Sequence, residues 1–132
     1  LRQGAYRRGE NKSIWNKVGG FSEEFNPGIG SDPDFNMKLW KIGVRLFKGL
    51  ANSRVYHFSS ISLRKKAWNN GAKTFLLKWG ISIKFFKKFY LKTDTAFTGE
   101  LNEPTKGLNF CLGLFKCKIL YVYYKIISLG LK

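Results

Sequence analysis

Apolar residues recur at helical spacing in four regions of the chain, and mostly polar segments with glycines separate these regions. The first region predicts a short helix from Ser13, its N-cap, to Val18, with Ile14, Trp15 and Val18 on its buried side. Gly19 and Gly20 should end this helix, because paired glycines adopt positive φ at little steric cost. A loop over residues 21–31 follows.

The second region predicts a helix that is capped by Ser31 or Asp32 and closed by Gly43. Pro33 suits its first turn, and Asp34 lies near the positive end of the helix dipole.

Two short strands are predicted over residues 45–50 and 54–58, and helical spacing returns from Lys66. One side of this third region carries a stripe of large apolar residues: Phe75, Trp79, Ile83, Phe86 and Tyr90. The opposite side carries Lys73, Lys84, Lys87 and Lys88. Gly80 should weaken or kink the helix. A last helix is predicted over residues 107–130.

The net charge of +16 lies mainly in the second half of the chain. Residues 1–60 carry 10 basic and 5 acidic side chains, whereas residues 61–132 carry 14 basic and 3 acidic ones. This excess favours phosphate-bearing partners: nucleic acid, an anionic bilayer or a nucleotide-linked substrate. The alternative is that lysine, 18 of the 24 basic residues, is simply the solvated surface residue of this protein.

Cys111 and Cys117 have no neighbouring histidine or further cysteine, so a zinc site would lack ligands. We interpret both cysteines as buried free thiols in a reducing compartment. No apolar run reaches the roughly 20 residues of a membrane-spanning helix. Residues 108–131 are interrupted by three lysines and are expected to lie on a membrane rather than cross it. The chain starts at Leu1 without a targeting segment, and we expect an N-terminal portion to be missing.

The densest polar cluster is GSDPDFN, residues 30–36. Its two carboxylates, Asp32 and Asp34, are each able to accept a proton or to bind a divalent cation, and the alternative is that they only cap the helix. His57, the only histidine, ends the second predicted strand and has a functional role only if it faces these carboxylates. For residues 66–92 three interpretations stay open: packing on the core, lying in a membrane interface, or binding single-stranded nucleic acid, of which the last is the weakest.

Three segments occur in an order that resembles a known family: WNKVGGFSEEF (15–25), SDPDFNMKLWKIG (31–43) and SRVYHFSS (53–60). They resemble, in turn, the Gly-Gly-Phe segment, the Glu-Asp block with its helix, and the histidine-ending strand of family-2 glycosyltransferases. This family includes the polypeptide N-acetylgalactosaminyltransferases. Residues 61–132 match only loosely, as a variable helical tail.

The resemblance implies an α/β fold. This chain would be the incomplete C-terminal part of a nucleotide-diphosphosugar transferase fold, and it would consist of short strands plus helices, followed by a basic helical tail. Residues 1–62 would be the C-terminal half of the catalytic domain, and residues 63–132 a basic amphipathic helical tail.

The resemblance also implies an inverting hexosyl- or N-acetylhexosaminyl-transferase. Such an enzyme moves a sugar from a nucleotide-sugar donor to a hydroxyl of a sugar or lipid-linked acceptor. Asp32 takes the position of the general base that deprotonates this hydroxyl. The implied substrate-binding residues are Gly20, Phe21, Asp34 and Trp40. The implied cofactor is a divalent metal, Mg²⁺ or Mn²⁺, with His57 as a candidate ligand and its main ligands upstream of this chain.

Ser31 replaces the usual Glu of the family, so support for the base is expected to be weaker or to come from Asp34. The family's Asp-X-Asp metal motif is missing, and the chain alone is expected to be inactive. We therefore expect part of a cytoplasmic glycosyltransferase that is held peripherally on the inner face of the membrane by its basic tail. The alternative is a non-catalytic basic module that binds an anionic membrane or nucleic acid.

Overall fold

The computed structural model describes residues 8–26, 29–48 and 70–130. These residues form five α-helices: α1 (Arg8–Val18), α2 (Ser31–Lys41), α3 (Gly71–Trp79), α4 (Ile83–Phe86) and α5 (Leu108–Gly130). A 3₁₀ turn at Glu23–Phe25 precedes α2, and a π-helical turn at Lys87–Leu91 continues α4.

The predicted α/β fold is wrong, because the described residues contain no strand or sheet. Residues 45–48 belong to the first predicted strand, yet they pair with no neighbouring strand in this part of the chain. The Arg45 guanidinium instead lies 3.9 Å from the centre of the Trp40 ring and donates a hydrogen bond to the Trp40 carbonyl. These contacts fold the segment back against the end of α2, so it is not part of a nucleotide-diphosphosugar transferase sheet. The second predicted strand, residues 54–58, lies outside the described residues.

The first helix is longer than predicted, whereas its end is confirmed. α1 begins at Arg8, so Ser13 lies inside the helix and is not its N-cap. The added turn is polar and carries no apolar periodicity, which is why the pattern did not reveal it. α1 ends at Val18, and Gly19 and Gly20 follow with φ of 72° and 61°.

The second helix, α2, is confirmed with nearly the predicted bounds. It begins at Ser31, includes Pro33 in its first turn, and ends at Lys41, two residues before Gly43. The predicted cap is wrong, because Gly30 is the N-cap and neither Ser31 nor Asp32 caps the helix through its side chain.

The third region forms two helices, because Gly80 ends α3 in the left-handed conformation with a φ of 73°. The predicted weakening at Gly80 is therefore confirmed. Asn70 caps α3 by accepting a hydrogen bond from the Lys73 amide at 3.0 Å, and Ser82 caps α4 in the same way. Residues 66–69 lie outside the described part.

The start of α3 packs directly on the loop before α2. A Cβ at Gly71 would overlap the carbonyl oxygen of Ile29, so the two backbones approach as closely as they do only because residue 71 is glycine.

The predicted domain boundary after residue 62 lies outside the described residues. Described elements from before and after this position share one hydrophobic core. Its buried members are Phe25, Met37, Trp40, Phe75, Leu76, Ile81, Phe85, Phe86, Phe110 and Cys117. Phe75 and Phe86 of the predicted stripe are fully buried, and the other three stripe residues pack against this core. Among the described residues, the stripe thus packs on the core, with Phe75 and Phe86 fully buried and Trp79, Ile83 and Tyr90 partly buried.

The last helix is confirmed over Leu108–Gly130, and only Phe110 and Cys117 of this helix are buried. Cys117 is a buried free thiol as predicted, whereas Cys111 is exposed. No helix among the described residues has both the length and the hydrophobicity needed to cross a membrane.

Candidate functional site

The two carboxylates of the 30–36 segment occupy different environments, although both lie in the first turn of α2. Asp34 is fully buried, and both of its oxygens have partners. Ser22 Oγ donates to Asp34 Oδ2 at 2.7 Å, and Trp79 Nε1 donates to Asp34 Oδ1 at 2.8 Å. The Lys78 ammonium lies 2.9 Å from Asp34 Oδ1. Asp34 thus joins α2 to α3 and to the loop after α1.

Two lysines extend this network around Asp34. Lys78 Nζ is 2.7 Å from Glu24 Oε1 and donates to Ser22 Oγ at 2.9 Å. Lys38 Nζ is 3.7 Å from Asp34 Oδ2 and donates to the Gly20 carbonyl at 2.9 Å. The ammonium groups offset the charge of a carboxylate that would be costly to bury alone.

The network shifts the pKa of both central groups. Burial by itself would raise the pKa of Asp34, but the hydrogen bonds from Ser22, Lys78 and Trp79 together outweigh it, and the pKa lies below its ordinary value. Burial would likewise lower the pKa of Lys78, but its contacts with Glu24 and Asp34 raise it above the ordinary value. The pair therefore stays charged at neutral pH.

Asp32, in contrast, is exposed to solvent at the N-terminal end of α2. Asp32 is therefore accessible to a ligand, whereas Asp34 is buried in the interior. The general-base role of Asp32 stays a prediction.

Three aromatic rings meet beside this helix end and form what we call the aromatic cluster: Trp15, Phe21 and Phe35. Their ring centroids are 5.1 to 5.4 Å apart. Trp15 and Phe21 remain 44% and 51% exposed, so the cluster presents ring surface to solvent. Phe35 follows Asp32 by three residues on α2, which places the two side chains on the same side of the helix.

Sequence reasoning assigned Trp15 to the buried side of the first helix, and its exposure is a correction. Helical spacing identifies an apolar face, but it does not show whether another element covers that face. Here Phe21 packs edge-on against Trp15 at 5.4 Å and leaves part of the indole open.

Gly20 is buried beneath the aromatic cluster. A Cβ at this position would lie 2.8 Å from the Trp15 ring, and its φ of +61° is one that side chains with a Cβ rarely adopt. Gly20 and Phe21, both predicted to bind substrate, are thus brought together with Trp15. Their substrate contacts stay a prediction.

Trp40 and Asp34 were also predicted to bind substrate, and the structure places both in the interior. Trp40 is 4% exposed and packs edge-on against Tyr90 at 5.4 Å. It has almost no surface left for a ligand, and the oxygens of Asp34 are taken by protein side chains.

The predicted metal site lies beyond what the structure describes. His57 is outside the described residues, and the remaining ligands were expected upstream. In residues 8–26, 29–48 and 70–130 there is no group of three or more histidine, cysteine, aspartate or glutamate side chains placed to bind a metal ion.

A groove of about 530 Å³ opens between α3, α4 and α5. Lys73, Lys84, Lys87 and Lys88 line it, together with Asp94. The pattern placed these four lysines on one side, and the structure shows that this side faces α5. We refer to this feature as the basic groove.

No family model matches this chain, and no curated protein or solved structure matches it either. The resemblance to family-2 glycosyltransferases therefore rests on the three sequence segments alone.

Proposed function

We propose that this chain supplies the acceptor-side part of an inverting glycosyltransferase, with Asp32 as its general base. The observation that supports this most is the contrast between the two carboxylates of α2: Asp34 is buried and fully partnered, whereas Asp32 is open to solvent. A helix start that uses one carboxylate to fix its own position and leaves the other free is suited to acid–base chemistry.

Asp32 would accept the proton of the acceptor hydroxyl as its oxygen attacks the anomeric carbon. A new carbon–oxygen bond forms on one face of the sugar, and the bond to the donor diphosphate breaks on the other, with the electron pair leaving on the diphosphate. A sugar hydroxyl is a weak nucleophile until its proton is accepted, so a positioned base contributes about 10²- to 10⁴-fold to the rate.

Asp34 would act as a positioning residue. Its contacts with Ser22 and Trp79 fix the first turn of α2 against the loop and α3. Since Asp32 is in the same turn, its backbone is fixed as well.

The aromatic cluster supports a sugar as the ligand class. Sugar rings have apolar C–H faces as well as hydroxyl edges, and exposed aromatic rings beside a few polar groups are typical of sites that bind such amphipathic molecules. Phe35 of the cluster and Asp32 share one side of α2, so a sugar stacked on the cluster would have its hydroxyls towards the carboxylate.

The proposed donor is a nucleotide-diphosphosugar, and the proposed acceptor is a sugar or a lipid-linked sugar. A divalent metal, Mg²⁺ or Mn²⁺, would offset the negative charge of the departing diphosphate. We place the protein on the cytoplasmic side of a membrane, where its net charge of +16 would be attracted to anionic lipids.

The test is the Asp32→Asn variant of the intact protein, with Glu100→Gln as a matched control that removes one exposed carboxylate far along the chain. Release of nucleoside diphosphate is measured from UDP-glucose, UDP-N-acetylglucosamine and GDP-mannose in the presence of total membrane lipid or oligosaccharide acceptors. We expect Asp32→Asn to lower the rate about 10²-fold or more and Glu100→Gln to leave it unchanged.

Turnover of Asp32→Asn at the rate of the unaltered protein would place the base elsewhere. A non-catalytic binding module, the competing proposal, predicts that the intact protein releases no nucleoside diphosphate from any of these donors.

A further inference from the structure

The outward side of α5 carries a continuous stripe of exposed apolar side chains, spaced alternately three and four residues apart. Each of these side chains is between 51% and 72% exposed. The α5 stripe consists of Leu112, Phe115, Ile119, Val122, Ile126 and Leu129. This spacing keeps all six on one side of a helix.

Within the described part of the chain, the core does not include any residue of the α5 stripe. α5 contributes Phe110 and Cys117 to the interior, and these residues lie on the opposite side of the helix from the stripe. The Sγ of Cys117 accepts a hydrogen bond from the Ser82 amide at 3.3 Å, which fixes this inner side against the start of α4. The helix is thus held by one side, and its other side faces outward over nearly its full length.

Lysines border the stripe on both sides. At 100° per residue, Lys116 falls on one flank of the α5 stripe, and Lys118 and Lys125 fall on the other. Lys84 and Lys88 extend the first flank, because they line a groove together with Lys116. α5 contains no acidic residue.

We propose that α5 lies flat in the headgroup region of an anionic lipid bilayer, with the stripe against the acyl chains and the flanking lysines at the phosphates. An apolar stripe between two rows of lysines is the arrangement of interfacial helices, since the long lysine side chains reach the headgroups while the apolar side chains enter the boundary of the hydrocarbon. Each lysine near an anionic surface adds to the attraction.

The charge pattern selects a lipid surface over a second copy of the chain. The three/four spacing would also suit a helical dimer, but two α5 helices would bring lysine rows together in either orientation, with no acidic residue to pair with them. Anionic headgroups, in contrast, neutralise both rows at once. The surface is distinct from the aromatic cluster, and its binding does not depend on glycosyl transfer.

The experiment is flotation of the intact protein with two kinds of vesicle, pure phosphatidylcholine and phosphatidylcholine with phosphatidylglycerol. The stripe variant is Phe115→Glu with Ile126→Glu, two side chains that are 64% and 63% exposed, so the core is untouched. The control is Thr98→Glu with Asn102→Glu, which makes the same change in charge at two exposed positions before α5. Circular dichroism checks that both variants remain folded.

We expect the unaltered protein to float with the anionic vesicles at least about tenfold better than with the neutral ones. The stripe variant should lose about tenfold or more of this binding, and the control should retain most of it. Equal binding by the stripe variant, or equal binding to neutral vesicles, would overturn the proposal. So would a lipid-free dimer, detected by sedimentation, that the stripe variant converts to a monomer, because the stripe would then be covered by a second copy. No donor sugar is present, so the result is separate from that of the transfer assay.

Discussion

Replacing the buried carboxylate of Asp34 by an amide tests the network that joins α2 to α3. The Asp34→Asn side chain keeps its shape: its one acceptor oxygen can accept from Trp79, and its NH₂ group can donate to the Ser22 hydroxyl. It carries no charge, so the Lys78 ammonium loses its buried carboxylate partner, and the Lys38 ammonium faces an NH₂ group in place of Oδ2.

The expected cost is about 3 kcal/mol. A hydrogen bond to a charged group is worth roughly 1.5 to 3 kcal/mol, and breaking a buried ion pair costs about 3 to 5 kcal/mol. The lower end applies, because the side chain of Lys78 is 27% exposed and it retains Glu24 as a partner. A typical domain is stable by only about 5 to 15 kcal/mol, so the loss is readily measured.

The assay is equilibrium unfolding of the intact protein in urea at pH 7, followed by circular dichroism. Asp32→Asn is the matched control: this carboxylate is exposed, and its loss should cost less than about 1 kcal/mol, the usual contribution of a charge at a helix N-terminus. Equal free energies of unfolding for the two variants would refute the assignment of different roles to the two carboxylates.

Three further predictions concern the same elements. The pKa of Asp34 is lowered in the folded state, so the ionised carboxylate stabilises the fold above the unfolded-state pKa of about 3.9, and this stabilisation is lost as the pH falls through the folded-state pKa. The difference in unfolding free energy between the unaltered protein and Asp34→Asn should therefore shrink from pH 7 to pH 2.5. A difference that does not change with pH would contradict this. Gly71→Ala should destabilise by about 3 kcal/mol, as the new Cβ meets loop backbone that must move, whereas Gly107→Ala meets no atom within 4 Å and should be neutral or slightly stabilising in thermal unfolding. Trp15→Ala should weaken binding of methyl glycosides in saturation-transfer NMR, and Phe97→Ala, which removes another half-exposed ring, should not. Equal effects of the two substitutions would contradict a role of the aromatic cluster in sugar binding.

The positions of several helix ends could be predicted because their signals are local. Gly19, Gly20 and Gly80 adopt positive φ, and they lie within two residues of a helix end. The side of α3 and α4 that packs on the core could also be predicted from the sequence, because helical spacing alone places Phe75 and Phe86 on one face.

The strand and the environment of the carboxylates could not be predicted, because distant residues decide them. Residues 45–48 were predicted as part of a strand, but Arg45 packs on Trp40, and its carbonyl accepts a hydrogen bond from the distant Leu101 amide at 2.9 Å. Asp34 obtains Lys78 and Trp79 from a helix more than forty residues further along the chain. Nothing in the 30–36 segment itself distinguishes Asp34 from Asp32.

Chemical rescue of an Asp32→Ala variant of the intact protein is the measurement that tests the central claim most directly. Removing the carboxylate leaves room for a small carboxylate from solution, because the position is open to solvent. If Asp32 is the general base, nucleoside diphosphate release by Asp32→Ala should be slow without formate and should rise with formate concentration, while a Glu100→Ala control turns over at the rate of the unaltered protein regardless of formate. An Asp32→Ala variant that turns over as fast as the unaltered protein, or one whose slow rate formate leaves unchanged, would contradict the account.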